Sequence, residues 1–119
     1  MMKRATAVAT VVLCAALVLA SLVFARPQAA TVTVTAGKPS ELRFTLSKRS
    51  VPKGAVTFAV RNRGKLRHDF KIAGERTPLL GSGKRATLKV TFKKEGRFRY
   101  LCTVPGHAAG GMKGTLVVK

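Results

Sequence analysis

Short stretches in which apolar and polar residues alternate run along most of the chain and indicate its fold. In each stretch the apolar side chains recur at every second position, which is the period of a β-strand with one buried face. Segments rich in glycine and proline separate these stretches, and none shows the period of an amphipathic helix. About seven short strands are predicted, at residues 31–35, 42–46, 55–60, 68–72, 86–92, 98–102 and 115–118. The pattern predicts an all-β protein, an antiparallel β-sandwich with Greek-key connections.

The N-terminal 25 residues differ from this pattern and predict a secretory signal peptide. Residues 1–4 contain two bases, residues 5–24 are uncharged and mostly apolar, and Val23-Phe24-Ala25 supplies the small residues that signal peptidase requires. A retained N-terminal anchor is the alternative, because an apolar run of this length can span a bilayer. Residues 26–30 are then a short leader, and residues 31–119 form the folded domain. In both cases we expect the domain to lie outside the cytoplasm, in the periplasm or the extracellular space.

A large excess of basic residues bears on the partners of the protein. The 119 residues include 23 Lys and Arg but only 4 Asp and Glu, which gives a formal net charge of +19. Such a charge usually indicates a protein that binds nucleic acid. An exported protein seldom meets nucleic acid, however, and the bases are spread along the chain and do not form one arm. We therefore expect no nucleic acid but a redox partner protein with an acidic docking face, or an anionic membrane or wall surface. A solvated surface that keeps a monomer soluble is the simpler alternative.

The use of cysteine indicates a thiol that is buried or bound. Cys14 lies in the apolar run of the predicted signal peptide, so Cys102 is the only thiol of the folded domain. A single thiol in an oxidising compartment is open to oxidation unless it is buried or ligated. We therefore expect the Cys102 sulfur to be bound to another group.

The two histidines of the chain are placed to join Cys102 in a metal site. His107 follows Cys102 after four intervening residues, and Met112 follows His107 after four more. His68 and Cys102 both fall on the apolar, core-facing side of their predicted strands. One thiolate, two imidazoles and one thioether form a soft ligand set that suits a single copper ion in a type 1 site. Taken singly, a buried histidine or methionine is more often an ordinary core residue, so the prediction depends on the occurrence of all four residues together. Zinc could occupy the same site, but it would leave Met112 without a role.

The residues around these four positions resemble the cupredoxins, the plastocyanin/azurin family. The resemblance rests on Val60-x-Asn62-x-Gly64 leading to His68-x-Phe70, on Tyr100-x-Cys102-x-x-Pro105-Gly106-His107, and on Gly111-Met112-x-Gly114. It extends over roughly residues 31–119 and implies a Greek-key β-sandwich with copper at one end. By this resemblance His68, Cys102 and His107 are the equatorial ligands and Met112 is the axial ligand.

Asp69 stands where many members of the family have asparagine. We expect its backbone N–H to bond the Cys102 sulfur and its carboxylate to hold Thr103 in the ligand loop. The Cys102-to-His107 span resembles that of azurin, whereas the His107-to-Met112 span resembles that of plastocyanin. The subfamily is therefore left open.

The predicted function is the transfer of single electrons by copper that cycles between Cu(I) and Cu(II). A protein that stores or delivers copper is the alternative, although a closed site with one thiolate favours redox cycling over release. A copper oxidase or nitrite reductase needs a further catalytic copper, usually with several histidine ligands. Since His68 and His107 are already assigned, we expect no enzymatic activity from this chain alone.

Overall fold

The computed structural model describes Met2 and residues 29–119, and every described strand lies between Ala30 and Val118. Nine strands follow one another: β1 (Ala30–Ala36), β2 (Phe44–Leu46), β3 (Ser50–Val51), β4 (Gly54–Asn62), β5 (Lys71–Ile72), β6 (Glu75–Arg76), β7 (Arg85–Phe92), β8 (Gly96–Leu101) and β9 (Lys113–Val118). The described residues contain no helix. Along β7 the buried Leu88, Val90 and Phe92 alternate with exposed neighbours, as the sequence pattern predicts.

The nine strands pair into two sheets. The first sheet has the order β2-β1-β4-β7, and the second has the order β3-β9-β8-β5-β6. In the second sheet Leu101, the last residue of β8, lies opposite Lys71, the first residue of β5. Because Cys102 follows β8 and His68 shortly precedes β5, this register brings the two predicted ligands to the same end of the sheet.

The two sheets face each other across one apolar core, and aromatic rings join that core to the site. Phe70 has no exposed surface. Its ring centroid lies 5.2 Å from that of Phe58, 5.5 Å from that of Tyr100 and 5.4 Å from that of Phe44, which meets it edge-on. Aromatic contacts of this kind add about 0.5–1.5 kcal/mol each beyond the burial of area. Phe70 therefore anchors the segment that carries His68, two residues earlier.

The predicted all-β Greek-key sandwich is confirmed, with differences in detail. Each of the seven predicted strands overlaps an observed strand, and the two further strands, β3 and β6, have only two residues each. Two pairs are parallel, β1 with β4 and β3 with β9, against the expectation of an antiparallel sandwich. The pairing of β1 with β4 is parallel because the chain crosses to the second sheet at β3 and then returns to the first sheet as β4, which runs beside β1 in the same direction. The alternation of apolar and polar residues within a strand does not show where the chain crosses from one sheet to the other.

The predicted signal peptide, residues 1–25, lies outside the described residues apart from Met2. Among the residues that the structure does describe, none forms a helix of the length and apolar character needed to cross a membrane.

Candidate metal centre

Two of the predicted ligands lie on backbone that is fixed by hydrogen bonds at the end of the second sheet. The His68 N–H donates to the Leu80 carbonyl at 3.1 Å, and the Leu80 N–H donates to the His68 carbonyl at 2.8 Å. This isolated bridge replaces the longer strand predicted for residues 68–72. Cys102 directly follows β8, and its N–H donates to the Met112 carbonyl at 3.1 Å. Both side chains therefore start from positions that the fold holds in place.

The ligand loop, residues 103–112, folds back on itself through a series of turns. The His107 N–H donates to the Val104 carbonyl at 3.0 Å, and the Met112 N–H donates to the His107 carbonyl at 3.0 Å. Gly106 and Gly111 have φ values of 83° and 113°, in the left-handed region that favours glycine. These two glycines let a short loop reverse twice and return Met112 to the level of Cys102.

The donor atoms of His68, Cys102 and His107 converge on one point. The two Nδ1 atoms lie 3.2 Å apart, and the Cys102 Sγ lies 3.9 Å from Nδ1 of His68 and 3.6 Å from Nδ1 of His107. Metal bonds of about 2.0 Å to nitrogen and about 2.3 Å to sulfur, at tetrahedral to trigonal angles, place donors about 3.3–3.8 Å apart. The three side chains thus fit around a single transition-metal ion.

Met112 lies beside Cys102 of this group. It is fully buried and packs with Cys102 and Ala36 in a small apolar cluster that is separate from the main core. Leu42 and Val104 cover that cluster. The structure therefore brings all four predicted site residues to one end of the sandwich, and a soft thioether adjoins the thiol.

Burial sets the protonation of the histidine and the thiol in the metal-free protein. It lowers the pKa of His68, against the opposing effect of the Glu41 carboxylate, so the imidazole stays neutral with a lone pair free. Burial also raises the pKa of the Cys102 thiol, while the backbone N–H groups of Asp69 and Val104 act on the sulfur in the opposite direction. A metal that binds here displaces the thiol proton, since the thiolate is the ligand form.

The Asp69 carboxylate holds Thr103 in the ligand loop, as predicted. Only 4% of its surface is exposed, and its Oδ1 accepts the Thr103 N–H at 2.6 Å. Its Oδ2 accepts a short hydrogen bond from the Thr103 hydroxyl. The residue after His68 is thus tied to the residue after Cys102, and the two ligand segments are joined outside the donor atoms.

Sequence reasoning missed Glu41, which lies on the far side of His68. Its Oε2 is 3.7 Å from the His68 Nε2, and its carboxylate accepts the backbone N–H groups of Lys65 and Leu66. No spacing or motif relates Glu41 to the ligand positions. Only its rarity as an acid in a basic chain could have drawn attention to it.

The fold and the site define a small β-sandwich that binds a single metal ion through histidine and cysteine. The family model described as copper binding proteins, plastocyanin/azurin family, matches residues 28–119. The chain belongs to this family, the cupredoxins, and its cofactor is copper.

Solved structures that are similar to this chain have the same fold. Dithionite-reduced auracyanin from Roseiflexus castenholzii has a TM-score of 0.63 and 22% identity, with 76% of this chain and 96% of that chain covered. Rusticyanin from Thiobacillus ferrooxidans has a TM-score of 0.68 and 22% identity, with 79% of each chain covered. Auracyanin A from Chloroflexus aurantiacus has a TM-score of 0.61 and 20% identity, with 77% of this chain and 100% of that chain covered. A comparison with curated proteins gave no match.

Proposed function

We propose that this protein is an exported type 1 (blue) copper protein that carries single electrons between redox partners, with His68, Cys102, His107 and Met112 as ligands. The observation that carries the proposal is the convergence of two imidazoles and one thiol, whose ligand atoms all lie within 4.8 Å of one another. Two histidines, one cysteine and a weak axial methionine are the ligand set of blue-copper electron-transfer sites. Bound copper supplies the Cu(I)/Cu(II) couple. The structurally similar auracyanin A is itself a "blue" copper protein.

The chain supports electron transfer by holding its donors in one arrangement. The bridge between His68 and Leu80, the bond from Cys102 to Met112 and the contact between Asp69 and Thr103 fix all the segments that carry ligands. A protein frame that does not move between oxidation states keeps the reorganisation that accompanies each transfer small. None of these bonds involves a metal-ligating atom, so they are independent of the copper bonds.

Electrons enter and leave through His107 in this proposal. It is half-buried, whereas His68, Cys102 and Met112 are at most 1% exposed. Exposed Pro105 and other small residues surround the His107 ring on its loop. The imidazole therefore offers the shortest path from the site to a docked partner.

Two exposed leucines near the copper end suit brief docking. Leu66 and Leu79 are 50% and 51% exposed, and no other large apolar side chain within residues 29–119 is exposed to this degree. Leu66 lies two residues before His68, and Leu79 directly precedes its bridge partner Leu80. The exposed leucines are thus found at the copper end, where a partner must approach.

Basic side chains near Leu66 favour a partner with an acidic face. Arg63, Lys65 and Arg67 are exposed in the loop that carries Leu66. The rate of electron transfer to an acidic partner should fall as ionic strength rises, whereas the rate with a small uncharged reductant should stay constant. A flat profile with the protein partner would overturn the steering proposal.

The proposed location is outside the cytoplasm, and the N-terminal segment carries this part of the proposal. Residues 1–25 serve as a signal peptide, residues 26–30 as a leader and residues 31–119 as the copper domain. N-terminal sequencing of the protein recovered from the expressing cell separates the two alternatives. A new terminus after Ala25 supports cleavage, and the intact terminus supports a retained anchor.

The blue absorption band tests the function directly. The purified metal-free protein should develop an intense thiolate-to-copper band on addition of Cu(II), and reduction should bleach it. Cys102→Ser should abolish the band; its persistence in that variant, or its absence in the parent protein, would overturn the proposed site. Slow copper loss to a chelator separates an electron carrier from a delivery protein, which must release its metal. The proposal includes no enzymatic activity, because both histidines serve the one copper.

A further inference from the structure

Glu41 makes contacts that are unusual for an acid in a strongly basic chain. It is one of only 4 acids against 23 bases. Its Oε1 accepts the Lys65 N–H at 2.8 Å, its Oε2 lies 3.1 Å from the same N–H, and the Leu66 N–H makes a short bond to Oε1. Within the described part of the chain, the only basic side chain within 4.0 Å of its carboxylate is the neutral imidazole of His68. Glu41 thus binds the loop before His68 through its backbone and adjoins the ligand itself.

The His68 ring presents different nitrogens to the two sides. Its Nδ1 points towards Cys102 and His107. Its Nε2 is buried without a hydrogen-bond partner among the described residues, and the Glu41 Oε2 lies 3.7 Å away. A shift of less than about 1 Å would bring this pair to hydrogen-bond distance. Since a buried N–H without a partner is costly, the carboxylate is the acceptor that the ring needs.

Two glycines make room for this approach. A Cβ on Gly64 would lie 2.9 Å from the His68 Nε2 and 2.9 Å from the Glu41 Cδ, and closer still to Oε2. A Cβ on Gly37 would lie 2.5 Å from the backbone of Gly64 and 3.2 Å from the Glu41 Oε2. Neither position has space for a side chain while Glu41 lies against His68. The packing of three separate chain segments therefore agrees with a fixed place for the carboxylate.

We propose that Glu41 is the positioning residue of the copper site: its carboxylate accepts the His68 Nε2–H, and its negative charge favours Cu(II) over Cu(I). Acceptance at Nε2 keeps the proton off Nδ1 and leaves the Nδ1 lone pair directed at the metal. The charge acts separately, because a nearby carboxylate stabilises the more positive ion. This inference rests on the proposed function only for the assignment of His68 as a ligand.

Two variants separate the two roles of Glu41. Glu41→Gln removes the charge and keeps one side-chain oxygen, which the loop N–H groups and His68 must share, whereas Glu41→Ala removes the charge and both oxygens. Glu95 provides the matched control, because it is an exposed acid whose ion pair with Lys53, at 3.8 Å, lies on the surface. Glu95→Gln and Glu95→Ala therefore make the same changes in net charge away from His68.

The tautomer of His68 is read in the copper-free protein by long-range ¹⁵N–¹H NMR with labelled histidine. The parent protein and both Glu95 variants should hold the proton on Nε2, and Glu41→Ala should populate the Nδ1–H form. An unchanged Nε2–H tautomer in Glu41→Ala would overturn the positioning role. If Glu41→Ala fails to fold, Glu41→Gln decides: a shifted His68 Nε2 resonance supports the contact, and an unshifted resonance refutes it.

The reduction potential of the copper-loaded protein tests the effect of the Glu41 charge. Both Glu41 variants should raise it, with a fall of about tenfold in the Cu(II)-to-Cu(I) affinity ratio, as expected for one charge near a partly buried site. Glu95→Gln should change the ratio much less. Equal shifts at the two positions would overturn the electrostatic role. A parent protein with no blue band would refute the proposed function instead, and the tautomer measurement would still stand.

Discussion

Replacement of Asp69 tests whether the two ligand segments are held together by the carboxylate that joins them. In the structure Asp69 accepts both the N–H and the hydroxyl of Thr103, and it is almost fully buried. Asp69→Ala removes both acceptors at once and leaves the Thr103 N–H without a partner at the rim of the site. The variant should therefore lose stability before any copper is added.

The expected magnitude follows from the two bonds. A hydrogen bond to a charged group contributes about 1.5–3 kcal/mol to the free energy of unfolding. The loss of two such bonds in a partly exposed place, taken at the lower end, amounts to about 3 kcal/mol. Since a domain of this size has a stability of about 5–15 kcal/mol, Asp69→Ala should still fold.

Urea unfolding of the copper-free protein measures this change, and Thr103 supplies the matched variants. Thr103→Val removes only the hydroxyl and should cost about half as much as Asp69→Ala, while Thr103→Ser should cost little. With an m-value of about 1.5 kcal/mol/M, the Asp69→Ala midpoint should fall by about 2 M. The blue band of the copper-loaded variant should also shift, because the loop that follows Cys102 is released.

Two results would refute this reasoning. A loss of less than about 0.5 kcal/mol in Asp69→Ala would mean that Thr103 finds other partners, as exposed groups do with water. An unchanged copper spectrum and potential, with stability reduced, would mean that the bonds support the fold but do not position Cys102.

Other predictions concern packing and the metal. Phe58→Ala, at a fully buried ring, should lower the free energy of unfolding by about 4 kcal/mol in urea titrations and leave the position of the blue band unchanged. Gly114→Ala would place a Cβ 2.8 Å from the Tyr100 Cε2, and should cost about 1–3 kcal/mol in thermal unfolding. Gly81→Ala is its control, because the nearest atom there lies at 3.9 Å. Copper at a hundredfold excess over its dissociation constant should stabilise the parent protein by about 2.7 kcal/mol, and calorimetry should show no such gain in Cys102→Ser.

The sequence predicts the buried faces of the sandwich well, because alternation is a local property of a strand. It placed His68 and Cys102 on the core side, and both are buried. It also predicted the contact of the Asp69 carboxylate with Thr103, which buries Asp69. The strand predicted for residues 68–72 was too long, because β5 begins only at Lys71 and His68 is held by its bridge to Leu80 instead.

Two contacts between distant parts of the chain were not predicted from the sequence. The parallel pairing of β1 with β4 depends on the path of the chain through the other sheet. The approach of Glu41 to His68 depends on how the segment between β1 and β2 meets the loop after β4. Such contacts join segments whose separate patterns are unremarkable, so a single sequence gives no signal for them.

The distribution of the acids connects charge with the copper site. Glu95 pairs with Lys53 on the surface, where such a pair contributes at most about 1 kcal/mol. Glu41 and Asp69 instead accept backbone N–H groups from the two irregular loops that flank the ligands. Loops without regular strand pairing gain order from these bonds. The overall positive charge favours Cu(I), the less positive ion, whereas the Glu41 carboxylate beside His68 favours Cu(II). The potential of the site thus depends on a local charge that opposes the charge of the whole protein.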